Sequence, residues 1–143
     1  MASPLTFYLP IKQDKESQAA VEENIKNFAA FVKESLDETQ IVHYATVALI
    51  PNPPPAKGNF AILLLTNFDK AMEPYLTVFW NTPKVRELTV KLVDIALYPP
   101  EGEIKTVQDY IKFLTSNNLT PQTGPTWTNF YEAYPNTVSQ IIG

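Results

Sequence analysis

Residues 41–69 read IVHYATVALI, then PNPPPAKGN, then FAILLLT and NFD. The first and third pieces are rich in Val, Ile, Leu and Tyr, side chains that suit a pleated, buried surface. Along 41–50, Ile41, His43, Ala45, Val47 and Leu49 alternate with Val42, Tyr44, Thr46, Ala48 and Ile50, and neither set is strongly polar. Residues 60–65 are apolar on both faces. The sequence therefore predicts two strands, 41–50 and 60–66, with both faces covered. The proline-rich loop 51–59 joins them, and Asn67-Phe68-Asp69 forms the closing turn. A connection so short cannot hold a crossover helix, so the pair is antiparallel and a doubly wound parallel sheet is set aside.

Upstream, Leu5, Phe7, Leu9 and Ile11 alternate with Thr6, Tyr8 and Pro10, the period of a strand with one apolar face. Pro10 cannot donate to a ladder, and weakened pairing or a bulge is expected there. The period then changes. Val21, Ile25, Phe28, Val32 and Leu36 recur at spacings of three and four, with charged residues between them, which predicts an amphipathic helix over 15–37 capped by Asp14 or Ser17.

Downstream, helices are expected over 70–80 with an interruption near Pro74, over 83–97 with Pro83 in the first turn, and over 107–116. After the turn-rich stretch 117–125, the aromatic run 127–134 suits a fourth strand, and 135–142 a short terminal helix. The order is that of a ferredoxin-like α+β fold, βαββαβ, in one domain spanning 1–143. Its four-stranded antiparallel sheet carries helices on one face only, with extra helices before the last strand.

Helices on one face cannot hide apolar side chains that project from both faces of the middle strands. A bare patch of that size is uncommon in a soluble monomer. The expected cover is a second copy, sheet against sheet, in a two-fold homodimer. The alternative is the C-terminal segment or an extra helix folded under the sheet.

Composition narrows the chemistry. A net charge of −4, with ten lysines and the single arginine Arg86, offers no basic patch for nucleic acid. There is no cysteine, so disulfides, thiolate metal sites and a cysteine nucleophile are excluded. The N-terminus has no export signature and no apolar run reaches the length of a membrane span, so a cytoplasmic protein with no membrane partner is expected. Asn118-Leu119-Thr120 matches a glycosylation sequon, which without export reads as coincidence. Four glycines form no phosphate-cradling loop, and one histidine without cysteine predicts no metal site.

His43 is the sole histidine and the one side chain whose ordinary titration falls near neutrality. With Tyr44 beside it, it is the catalytic candidate. Tyr8, Asn67, Asp69, Trp127 and Tyr131 are the ligand-binding candidates, the aromatics as walls of a cavity and the Asn and Asp at its mouth. Each has a structural alternative: packing with a satisfied hydroxyl for the tyrosines, capping for Asn67 and Asp69.

The plan, the size and the open apolar sheet face resemble the dimeric α+β barrel superfamily. It includes antibiotic-biosynthesis-type monooxygenases, haem-degrading enzymes and chlorite-dismutase-like proteins. His43-Tyr44-Ala45 followed by Leu63-Leu64-Leu65-Thr66-Asn67-Phe68-Asp69 is similar to a branch carrying a histidine and an aromatic on the second strand and an Asn-Phe-Asp turn after the third. That branch has a basic residue soon after the histidine, where this chain has Thr46. The resemblance implies a homodimer and brings haem as the cofactor to test, with the axial histidine usually on a helix or its flanking loop. Two readings follow. One is a dimeric module that binds a small apolar molecule or serves assembly. The other is a small monooxygenase-like or haem-associated enzyme using His43 and a tyrosine.

Overall fold

Alternation in the first strand builds the core. In the computed structural model, which describes residues 2–36, 42–69, 72–120, 122–123, 126–127 and 140, β1 (Ala2–Pro10) buries Leu5, Phe7 and Leu9 almost completely. Next come α1 (Lys15–Leu36), β2 (Val42–Pro51), β3 (Asn59–Asp69), α2 (Met72–Trp80), α3 (Pro83–Ile95) and α4 (Val107–Ser116). The molecule is thus mixed α+β, with a three-stranded antiparallel sheet in the order β1-β3-β2. β1 and β2 run parallel with β3 inserted between them, an arrangement compatible with a ferredoxin-like plan.

Among the described residues, α1 to α4 lie on the face that carries Leu5, Phe7 and Leu9. Phe113 of α4 packs edge-on against Phe7 at 5.7 Å, and Phe79 of α2 packs against Phe68 at 5.3 Å. Val21 of α1 is fully buried in the same cluster. Asp14 caps α1 by accepting from the Ser17 N–H at 2.9 Å, which decides between the two candidate caps. A capping box, Thr106 with Asp109, starts α4. Among the described residues no helix is long and apolar enough to cross a membrane.

Among the described residues the sheet has three strands where four are expected. Thr126–Trp127 (β5) pairs with Gln122–Thr123 (β4) in a separate two-stranded ladder, and 128–139, with the rest of the expected fourth strand and most of the expected terminal helix, lies outside the described residues. The outer edge of β1 is occupied by other segments. Tyr8 N–H donates to the Asn117 carbonyl and Leu119 N–H to the Thr6 carbonyl. The Asn118 Oδ1 accepts from the N–H groups of Thr6 and Thr120. At the other end of the strand Leu97 N–H donates to Pro10 and Lys12 N–H to Ile95. These two short segments satisfy the backbone groups that a fourth strand would need. They also engage both ends of the Asn118 amide, which donates to the Thr120 carbonyl.

Pro10 causes no bulge, because its register with Ala61 is continuous. Its carbonyl faces the outer edge, towards Leu97, so the missing N–H faces outward too and the ladder to β3 loses nothing. α2 is likewise uninterrupted. It starts at Met72, which places Pro74 in the first turn, where backbone N–H groups have no intrahelical partner. α3 stops at Ile95 because Ala96 turns extended and bridges to Ile11.

Asn67-Phe68-Asp69 is strand, not turn: Phe68 is fully buried and pairs with Ser3 on one side and Val42 on the other. A further departure sits at His43. Val42 pairs with Phe68, and Tyr44 with Asn67, so two positions on β2 advance against one on β3 and His43 is the inserted residue of a bulge. The bulge switches parity, which brings Val42 to the core side with Val47 and Leu49.

The loop 51–59 is held by amides. Gln18 Oε1 accepts from Asn59 N–H at 2.8 Å while Gln18 Nε2 donates to the Asn59 carbonyl at 2.9 Å, and Asn52 Nδ2 donates to Gln13 and to the Lys57 carbonyl. Ala56 N–H closes a turn onto Pro53, so the prolines do not form one extended polyproline segment.

Candidate functional site

Two small side chains stand opposite each other in the sheet. Ala45 of β2 is in register with Thr66 of β3, and Thr66 in turn with Leu5 of β1. Where larger residues would fill the space under the helices, this pair leaves a cavity of about 90 Å³. Its floor is the sheet face around Val47, Ile62, Leu64 and Phe68. Its roof comes from Ile25 of α1, Val85, Leu88 and Leu92 of α3, and Tyr110 and Leu114 of α4. The inner lining residues, Phe7, Ile62, Phe68 and Tyr110, are buried, whereas Asn24, Ala45, Val47 and Leu88 are half-buried. The mouth therefore lies between α1, α3 and β2. Asn24 and Leu88 also border the outer groove between α1 and α3, which carries Glu23, Glu87, Lys91 and Asp94, so the approach is weakly acidic.

Polar atoms in the lining are few and distinct. Thr66 is 6% exposed, and its Oγ1 is buried without a hydrogen-bond partner. The hydroxyls of Thr89 and Tyr110 lie 3.2 Å apart. Thr89 Oγ1 donates to the Val85 carbonyl at 2.9 Å, which leaves Tyr110 as the donor in their shared bond. Burial pushes the Tyr110 phenol up to about 12, so it stays neutral. Trp80 packs against Tyr110 with tilted rings, centroids 5.4 Å apart, and the Arg86 guanidinium covers the Trp80 ring at 3.9 Å.

Among the described residues no lining side chain carries a formal charge. The arrangement can hold a neutral apolar molecule and offer it one free hydroxyl. It does not fit haem. About 90 Å³ falls well below the roughly 300–1,000 Å³ of sites for drug-sized ligands.

Of the candidates from sequence, Tyr8, Tyr44 and Asn67 are not among the residues that line this cavity. Tyr8 and Asn67 lie on the opposite face of the sheet, in register with Leu63 and with Pro4 and Tyr44 respectively. Tyr44 and Asn67 are partners across β2 and β3. Tyr8 is four β3 positions away, about 13 Å along the strand, so the three form no single cluster. His43 is placed by its backbone at the bulge and Asp69 by its backbone at the end of β3. Trp127 pairs with Gln122 in the small ladder. The side chains of His43, Asp69 and Trp127, and all of Tyr131, lie outside what the structure describes.

Thr66 was not singled out from sequence, although a signal existed: it is the first hydroxyl in a run, 60–66, otherwise apolar on both faces. Among the described residues no group of three or more His, Asp or Glu side chains converges to hold a metal ion. Comparisons with family models, with curated proteins and with solved structures each find no match for this chain.

Proposed function

We propose that this chain is a small ferredoxin-like module, of the kind seen in the dimeric α+β barrel superfamily, that binds a small apolar molecule between its sheet and helices. The observation that carries this reading is the cavity under α1, α3 and α4, apolar on nearly every side, with the unpartnered Thr66 hydroxyl on its wall. A void of this kind costs dispersion contacts and an unpaired hydroxyl costs desolvation. An occupant offsets both.

Binding to the folded state alone raises stability by mass action, by about 2.7 kcal/mol at one hundred times Kd. Calorimetric melting under isobutene or xenon should show a rise in Tm. Ala45→Leu, which fills the void, should remove it. A Tm that does not move in the parent chain contradicts the reading.

Self-association of two copies, sheet to sheet, is a second reading, favoured by the far face of the sheet. Tyr44 is 53% and Leu65 36% exposed there, beside exposed Ala48 and Thr46. The facing positions of the three strands, Thr6, Tyr8 and Pro10, Tyr44 to Ile50, and Ala61 to Asn67, include no Asp, Glu, Lys or Arg. Solvated sheet faces are ordinarily polar, and a charge-free face can meet its own copy without repulsion. Self-association is tested by the solution mass of the chain, as set out below.

A further inference from the structure

Resting on the cavity reading, we infer that the ligand class is a small neutral carbonyl compound, held by a hydrogen bond from Thr66 Oγ1 to its carbonyl oxygen. Three observations converge on this. First, Thr66 is 6% exposed, lines the cavity and has an Oγ1 with no partner. Buried donors without an acceptor are rare in folded proteins, and under-used acceptors are tolerated better. A ligand that accepts therefore satisfies the site, whereas an alcohol would bring a second hydroxyl hydrogen of its own.

Second, the other two hydroxyls in the wall are already committed, Thr89 to the Val85 carbonyl and Tyr110 to Thr89. Among the buried hydroxyls of the wall the site thus offers one free donor, with the half-buried Asn24 amide at the mouth. Third, among the described residues no cation lines the cavity and Glu23, Glu87 and Asp94 outnumber Lys91 along the groove at its mouth. Transfer of a carboxylate into such a space is strongly unfavourable, so a carbonyl compound is accepted and its acid is refused. Size sets the body of the ligand. A cavity of roughly 150 Å³ holds benzene, so about 90 Å³ suits a molecule of on the order of four heavy atoms.

Three probes of equal heavy-atom count separate these properties: isobutene, acetone and acetate. Their binding is followed on the intact chain through the methyl NMR signals of Leu5, Val47 and Ile62. The expected result is that isobutene and acetone bind and acetate does not. In Thr66→Val acetone affinity falls about tenfold, as loss of one buried hydrogen bond implies, and isobutene affinity does not fall. Thr66→Ser, which keeps the hydroxyl, restores acetone binding. If acetone and isobutene bind the parent chain and Thr66→Val alters both alike or neither, the carbonyl anchor is wrong while the cavity reading stands. If acetate binds as well as acetone, the neutral class is wrong. If no probe moves these signals, both the anchor and the cavity reading fail.

Discussion

Thr66 and Asn67 are chain neighbours on β3 that serve opposite faces of the sheet. Thr66 stands in register with Ala45 on the wall of the cavity, and Asn67 with Tyr44 on the far face. One side therefore offers an enclosed hydroxyl, and the other a broad charge-free surface.

Because the Thr66 hydroxyl is buried without a partner, Thr66→Val should stabilise the unliganded chain by about 1 kcal/mol. Urea unfolding checks this. A loss of similar size would mean that the hydroxyl is hydrogen-bonded in the folded chain.

The two ends of the pH scale act through different groups. The Asp14 carboxylate is held below its ordinary range by hydrogen bonds from Ser17, and that of Asp109 by the N–H groups of Lys105 and Thr106. A depressed carboxylate contributes stability above its ordinary value and loses it as pH falls through the lowered one. Stability should therefore decline below about pH 4, and less steeply in the double variant Asp14→Asn, Asp109→Asn. Tyr110 has the opposite sign. Its stability is full below the ordinary 10.0 and fades as pH rises to about 12. Tyr110→Phe should flatten this alkaline limb. The change costs only about 1 kcal/mol, because Thr89 keeps its bond to Val85. Stability measured against pH in the parent and the variants tests both limbs.

Gly58 has φ +88, and a Cβ there would lie 2.9 Å from the Gln18 Oε1 that accepts from Asn59. Gly58→Ala should cost about 1–2 kcal/mol from the left-handed backbone, with displacement of the Gln18 amide adding to it. Denaturant midpoints report the cost. A neutral result would mean that the β2–β3 loop is free to rearrange.

On the far face, light scattering at micromolar concentration should give twice 16.1 kDa. Leu65→Lys should return the mass to that of one chain, through a buried unpaired charge in each copy. A parent chain that already sediments as a monomer rejects self-association.

Much of this architecture is written in side-chain periodicity. The stripes Val21, Ile25 and Val85, Leu88, Leu92 locate α1 and α3, because a helix with one wet face leaves a contrast of period 3.6. β2 and β3 leave no such contrast. With apolar residues on both faces, nothing in 41–50 marks His43 as the inserted residue, and a single insertion reverses the face of Val42. The occupation of the outer edge of β1 was hidden for another reason. It rests on Asn118, a residue whose side-chain amide does the work of a strand backbone, which local propensity does not register. The cavity was equally hidden, since it depends on Ala45 meeting Thr66 across a register set by that bulge.

The central claim is that the space between Ala45, Thr66, Leu88 and Tyr110 receives a small apolar molecule. Xenon, which has shape but no polar group, tests it most directly when methyl NMR shifts are followed in the parent chain and in Ala45→Leu. The account expects saturable shifts at Leu5, Val47, Ile62, Leu64 and Leu88 that vanish in Ala45→Leu. Shifts that fail to saturate, or that centre on Ala48 and Leu65 of the far face, would contradict it.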